Sequence, residues 1–200
     1  TYIEAENFTG TIARGTGTFN KEQSQGGAFG AGYLRSDGGS SGSIGCPSAD
    51  EGKEYEVNFT EAGTYKVWIR GYAYNFASDS LFIGLDGTCT GSLRENGINN
   101  QWVWTNSVKT GVNTITVSKA GLHTINIWIR EPNHLVDGIY ITKTGPAPND
   151  NSYGAVINPN NCDSRVLFSG DETDAQNVDV TDWSDGPKML EVNGENATCG

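Results

Sequence analysis

Along most of the first 145 positions, apolar and polar residues alternate with a period of two. Between His123 and Arg130, Thr124, Asn126 and Trp128 alternate with Ile125, Ile127 and Ile129, as in a strand with one buried face. Ile139 and Ile141 against Tyr140 and Thr142 repeat the pattern, as do Tyr65, Val67 and Ile69 against Lys66, Trp68 and Arg70. Further strands are predicted at Thr1–Phe8, Tyr33–Ser36, Lys53–Phe59, Ser80–Leu85, Thr88–Leu93, Gln101–Thr105 and Asn113–Lys119. Thr60–Gly63, Asp86-Gly87 and Ala120-Gly121 read as hairpin turns, and residues 15–32 as a Gly/Ser/Gln-rich loop. No helical period is visible. About ten short strands at roughly 8–12 residue spacing specify an all-β fold, a two-sheet antiparallel β-sandwich or jelly roll.

Two places break the pattern. Asp137 opens an otherwise apolar strand, where a carboxylate is costly unless something pairs with it. Glu4 and Glu6 stand two apart on the same face of Thr1–Phe8 and repel each other, which near a core points to a cation between them.

Composition narrows the function class. The chain has 200 residues, 27 glycines, one Met and 36% apolar content, enough for one full core. No stretch approaches the ~20 apolar residues of a membrane helix. The net charge of −11 lacks the basic footprint of a nucleic-acid or anionic-membrane binder. Residues 1–145 hold 14 acidic and 11 basic residues, and residues 146–200 hold 10 and 2. Pro146–Asp150 reads as a linker, giving a sandwich at 1–145 and an acidic extension at 146–200. That extension carries strand-like fragments at Ala155–Ile157, Arg165–Ser169 and Lys188–Val192. It either adds strands to the sandwich or begins a further module. Its acids Asp171, Asp174, Asp179, Asp182 and Asp185 lack EF-hand spacing and read as a solvated surface.

Cys46, Cys89, Cys162 and Cys199 include no CxxC pair, so disulfides in an exported protein are expected rather than zinc. Four cysteines allow three connectivities. Proximity in sequence pairs Cys46 with Cys89 and Cys162 with Cys199. The chain opens directly on TYIEAENF, and the expectation is a processed chain or an excised module that works secreted or at a cell surface.

IEAENF, GAGYLRS at 30–36, GTYKVWIRGYA at 63–73, the DG turn, WVW and AGLHTINIWIRE…VDGIYIT stand in order along residues 1–145. Together they resemble the galactose-binding-like β-sandwich of family 6 and family 35 carbohydrate-binding modules. The resemblance implies a non-catalytic module tethered to a polysaccharide-degrading enzyme, with a structural calcium and a sugar site in the loops at one end. Glu4 and Glu6 correspond to the family's metal acids and Asp137 to its last-strand Asp, with a backbone carbonyl near Gln25–Gly27, such as that of Gln25, as a further ligand. Hard oxygen ligands from distant strands are what calcium takes.

The family's ligand aromatics map onto Tyr33 and Trp102. Exposed rings meet the flat faces of sugars while amides and carboxylates take their hydroxyls. Leu135 stands where the family has an Asn, and Asn133 or His134 from the same hinge is its substitute. Trp68, Trp104 and Trp128 are expected in packing roles, and His123 in a turn. If Thr88–Leu93 is a strand, parity brings loops 73–78, 94–101 and 131–135 to one end. Tyr72, Tyr74, Asn75, Trp102, Asn133 and His134 then share a rim.

The expected ligand is a neutral polysaccharide or oligosaccharide. The alternative is a structural or adhesive β-sandwich module of a secreted multidomain protein. A hydrolase or lyase finds little support, since the sequence has two histidines, no GxSxG, and only Asp79 and Glu131 as an acid pair across the rim.

Overall fold

The computed structural model describes residues 1–12, 17–39, 51–95, 100–107, 113–157, 189–192 and 195–198. The chain falls into two compact units, Thr1–Asn149 and Asp150–Gly200. In the first lie β1 (Tyr2–Glu4), β2 (Gly10–Ile12), β3 (Thr18–Glu22), β4 (Tyr33–Asp37), β5 (Gly52–Phe59) and β6 (Gly63–Tyr72). They are followed by β7 (Ser80–Leu85), β8 (Thr88–Arg94), β9 (Trp102–Thr105), β10 (Thr114–Val117), β11 (Gly121–Ile129) and β12 (Leu135–Thr142).

These strands form the expected two-sheet antiparallel sandwich. A seven-stranded sheet runs β10-β6-β12-β4-β3, with β1 paired to β12 and β9 to β6. A five-stranded sheet runs β2-β5-β11-β7-β8. The apolar members of each alternation meet between the sheets. Val67, Ile69, Ile139 and Ile141 of the larger sheet pack with Tyr55, Val57, Ile83, Ile125 and Ile127 of the smaller. The other members, among them Lys66, Trp68 and Tyr140, face outward.

Turn chemistry matches the sequence reading. Asp86 and Gly87 both take positive φ, 50° and 76°, the conformation of a type I′ hairpin. His123 ties this turn to the one between β10 and β11, with Nδ1 2.7 Å from Asp86 Oδ2 and Nε2 3.0 Å from the Lys119 carbonyl. Its role is structural, as expected.

Three expectations are corrected. The stretch read as loop at 15–32 contains β3, an edge strand that buries only Phe19 and so shows little periodicity. Strand β1 stops at Glu4, and the chain turns so that the Asn7 amide donates to the Glu4 carbonyl at 3.0 Å. Glu6 therefore leaves the strand face it was expected to share. In the second unit, Ala155–Ile157 belongs to a helix, α1 (Asp150–Ile157), whose first turn carries Asp150 where a negative charge favours the helix.

That unit also contains the hairpin β13 (Met189–Val192) and β14 (Glu195–Thr198). Arg165–Ser169 and the tail aspartates lie outside the described residues, as do Cys46, Cys162 and Cys199. The expected cysteine pairings lie there too. Cys89 does not stand free.

Candidate functional site

The β6–β9 and β4–β12 pairings bring four aromatic residues together on the outer face at one end of the larger sheet. Tyr72 lies opposite Trp102, and Leu135 is paired with both Tyr72 and Arg35. The rings touch in sequence with edge-on geometry. Tyr33 and Trp102 are 5.6 Å apart, Trp102 and Tyr72 5.4 Å, and Tyr72 and Tyr74 5.1 Å. Leu135, which departs from the family pattern, is fully buried with Tyr33 and Tyr72. It supplies the floor of the cluster.

The loop from Gln23 to Gly32 closes the other side and lines a cavity of about 320 Å³. Trp102 Nε1 donates to the Gly26 carbonyl at 2.9 Å, and the Tyr74 hydroxyl donates to Gln25 Oε1 at 3.3 Å. Tyr33, expected as an exposed ring, lies beneath Trp102 at 1% exposure. Its phenol donates to Glu22 Oε2 at 3.3 Å and accepts the Gln25 amide at 3.1 Å. Glu22 also takes Arg35 Nε at 2.6 Å, and Arg35 donates to Asn133 Oδ1 at 3.1 Å. Asn133 is exposed at the lip in a left-handed conformation.

Strand β8 forms as the parity argument required. Tyr72, Tyr74, Asn75, Trp102, Asn133 and His134 all lie at this end. Tyr72 and His134 are the exceptions in exposure, and His134 is the deeper of the two. It is buried, with Nε2 2.6 Å from Glu95 Oε1, against Gly71, where any side chain would collide with both groups. Sequence reading missed Glu22 and Arg35. Their signal is cross-strand register, with Glu22 opposite Tyr33 and Asn20 opposite Arg35, and it appears only once β3 is recognised.

The acids Glu4, Glu6 and Asp137 lie next to this cluster. Asp137 occupies a β-bulge, because the β12–β6 register shifts between Val136 and Gly138. A bulge re-aims one side chain. Here Oδ2 accepts Arg70 NH1 at 2.8 Å and Oδ1 accepts the Phe29 amide at 3.0 Å. The pairing that the buried acid required is thus met in part by Arg70, whose guanidinium also lies over the Phe29 and Trp102 rings at 4.4 and 5.1 Å. Arg70 links the acids to the aromatics, a role that outward parity on β6 alone did not reveal.

Burial raises the Asp137 carboxyl to about 6 despite Arg70. Glu6 is 4% exposed and neither carboxylate oxygen has a hydrogen-bond partner among the described residues. Burial raises it to about 7; the backbone amides of Glu6 and Ala31 oppose the shift, and the charges of Glu4 and Asp137 add to it. Glu4 Oε2 accepts Asn7 Nδ2 at 2.9 Å, whereas Oε1 is buried and unpartnered. Burial raises this carboxyl too. Gly30, at φ 61°, admits the Glu4 carboxylate where any side chain would collide with it.

Three buried, unpartnered carboxylate oxygens, one on Glu4 and two on Glu6, are donors of the type a hard divalent ion takes. Among the described residues, no three acidic, histidine or cysteine side chains stand together as a ligand set. Of the carbonyls expected to contribute, Gly26 and Gly27 are taken by Trp102 and Arg70. The side chain and amide of Gln25 are engaged with Tyr74 and Tyr33.

Asp79 and Glu131 also converge. The Asp79 amide donates to Glu131 Oε2 at 2.9 Å, and both acids are at most 2% exposed. Burial opposes ionisation of Glu131, but the Ser80 hydroxyl, the Asp79 amide and Arg130 hold it below its usual value. Asp79 is raised to about 6, by burial first and then by the Glu131 charge. A glycosidase pair must flank an accessible bond. These acids are buried and act as structural groups.

The family model for the glycosyl hydrolase family 115 C-terminal domain matches residues 2–155. A family 35 carbohydrate-binding module from an environmental isolate superposes with a TM-score of 0.52 at 15% identity, covering 74% of this chain and 99% of that one. The family 35 module of Cellvibrio japonicus Abf62 gives 0.50 at 10% identity, covering 74% and 98%. The Podospora anserina GH26-CBM35 β-(1,4)-mannanase gives 0.50 at 19% identity and covers 74% of this chain. This chain spans 28% of the length of that mannanase. At these identities the likeness is one of fold, and it is the sandwich that the sequence resemblance implied. The chain matches no curated protein.

Proposed function

Because this chain belongs to the glycosyl hydrolase family 115 C-terminal domain family, we propose that it is a non-catalytic carbohydrate-binding module of a polysaccharide-degrading enzyme. The observation that carries this reading is the run of rings from Tyr33 through Trp102 and Tyr72 to Tyr74, bordered by Glu22, Arg35 and Asn133. Rings give the apolar contact that a sugar face needs, and the charged and amide groups beside them are the type that reads hydroxyls. Trp102 is the contact ring and Tyr33 its buttress. The cross-strand pairings fix the rings before ligand arrives, so little ordering cost remains.

The same reading includes a structural calcium held by Glu4, Glu6 and Asp137, supported by the unpartnered oxygens of Glu4 and Glu6. The ion would neutralise the acids and fix the 23–32 loop beneath Trp102. It would supply no chemistry to the sugar. The chain is read as secreted, with its cysteines oxidised, and the preferred glycan as neutral, in keeping with the net charge of −11.

The test is affinity electrophoresis of the chain and of Trp102→Ala through gels containing neutral polysaccharides. The expected outcome is retardation of the wild type by at least one glycan and its loss in the variant, with thermal unfolding preserved. Equal retardation of both removes Trp102 from the site. Failure of every glycan to retard the wild type favours an adhesive module instead.

A further inference from the structure

Two aromatic residues on the loop between β6 and β7 remain in water. Tyr74 is 41% exposed and Phe76 is 70% exposed. An isolated exposed apolar residue is ordinary, but this one sits on a loop that is pinned. Ser78 is buried, and its hydroxyl accepts the amides of Tyr74 and Asn75, each at 3.1 Å. The Asn75 carbonyl takes both the Ser78 amide at 3.0 Å and the Ser78 hydroxyl at 3.1 Å. Asn75 Oδ1 in turn accepts the Ala77 amide at 2.8 Å. These bonds hold the turn at the base of Phe76 and leave Asn75 Nδ2 pointing to no acceptor among the described residues.

The loop continues the aromatic run already described. Tyr74 packs against Tyr72, which packs against Trp102, and the Tyr74 hydroxyl is tied to Gln25 on the facing loop. Phe76 lies two residues further along, with an amide on one side and Ala77 on the other. The exposed set is therefore one ring platform plus polar groups, not a broad apolar face. A protein interface buries roughly 800 Å² on each partner around a well-packed apolar centre. A single preset ring beside an amide matches one sugar unit far better.

We infer that Asn75 and Phe76, just beyond Tyr74 at the end of the first run of rings, form a second subsite, so that the module takes an oligosaccharide of several units and not a single terminal sugar. This rests on the carbohydrate-binding reading. One unit contacts Trp102, and a later unit of the same chain stacks on Phe76 with Asn75 taking a hydroxyl. Because the loop is held in place beforehand, the second contact adds affinity with little ordering cost.

The experiment is calorimetry or fluorescence titration with gluco-, manno- and xylo-oligosaccharides, β-1,4-linked, from one to six units. It compares the wild type, Phe76→Ala, Phe76→Trp and Trp102→Ala. With the ladder that binds, wild-type affinity should rise with length. Phe76→Ala should match the wild type on the shortest binding member and lose on the order of tenfold on the longest. Phe76→Trp should keep the rise and show an emission shift with long members only. Trp102→Ala should lose every member. A Phe76→Ala profile that equals the wild type at every length overturns the subsite and leaves Phe76 to a protein contact. A loss of equal size at every length also overturns it. If the wild type binds no member of any ladder and no polysaccharide, the carbohydrate reading fails first and this inference fails with it.

Discussion

Glu6 shows most directly what one residue can report about the site. Its two carboxylate oxygens are buried without partners, and its carboxyl is raised to about 7. Without metal an ionised Glu6 is a liability; in the proposed calcium site it would be a ligand. Glu6→Gln should therefore leave the metal-free protein as stable as the wild type or more so, since it removes a buried charge. It should also abolish the stabilisation by calcium. For the wild type, calcium at a hundredfold excess over its Kd should add about 2.7 kcal/mol, several degrees in Tm. Thermal unfolding with calcium and with chelator checks both, and a calcium response that persists in the variant removes Glu6 from the ligand set. Asp137 shows how far such residues were legible. Its position in an apolar strand announced that a partner was needed, but the identity of Arg70 as that partner depends on the bulge. A shift in register leaves no mark on periodicity. Tyr33 and Trp102 were legible as members of the candidate site, whereas the order of burial, with Tyr33 beneath Trp102, follows from packing alone.

At the scale of elements, alternation revealed the long strands, because β5, β6, β11 and β12 each bury one face against the opposite sheet. It did not reveal β2 or β3, short edge strands with too few buried positions to show a period. Missing β3 hid Glu22, and with it half of the polar border of the site. The ends of β7, β8 and β11 also meet in a network that no single strand predicts. Asp79 faces Glu131 just beyond the paired ends of β7 and β11, with Arg94 Nε at 3.3 Å from the Asp79 Oδ1. Ser80, Arg130 and the His134–Glu95 pair lie around them. The folded Asp79 carboxyl is raised to about 6 from an ordinary value of 3.8, so the folded state holds this proton more tightly than the unfolded chain. Its contribution to stability is complete below about 3.8 and is lost as pH rises through about 6. The Tm of the wild type relative to Asp79→Asn should therefore fall by a few degrees between pH 4 and pH 7.5. A flat difference across that range would show that Asp79 does not hold a proton there. Gly71 bears on the same network from β6. Gly71→Ala should push Glu95 and His134 apart and destabilise the fold by about 2 kcal/mol or more, read as a lowered denaturant midpoint.

For the whole molecule, charge and contact make separate predictions. The net charge of −11 is a long-range property, whereas the rings, amides and paired ions of the site act at contact. Long-range repulsion is felt over about 30 Å at 10 mM salt and about 8 Å near physiological strength. Stacking on Trp102 and hydrogen bonding to sugar hydroxyls carry almost none of that dependence. Among the described residues, the cationic group at the lip, Arg35, is already matched by Glu22 at 2.6 Å. Nothing local therefore offsets the global field for an anionic chain. In the presence of chelator, retardation by a neutral glycan should change less than twofold between roughly 10 and 300 mM salt. Retardation by a polyuronate should be absent at low salt and should not exceed the neutral value at high salt. Strong retardation by the polyuronate at low salt would mean that Arg35 or Arg70 is released to the ligand, and the order of preference would reverse. On the proposed reading, the balance between field and contact decides which glycan class the rim admits, and only the field could be read from composition. The contact required the pairing of β6 with β9 and of β3 with β4, which places Trp102, Tyr33 and Glu22 on one face.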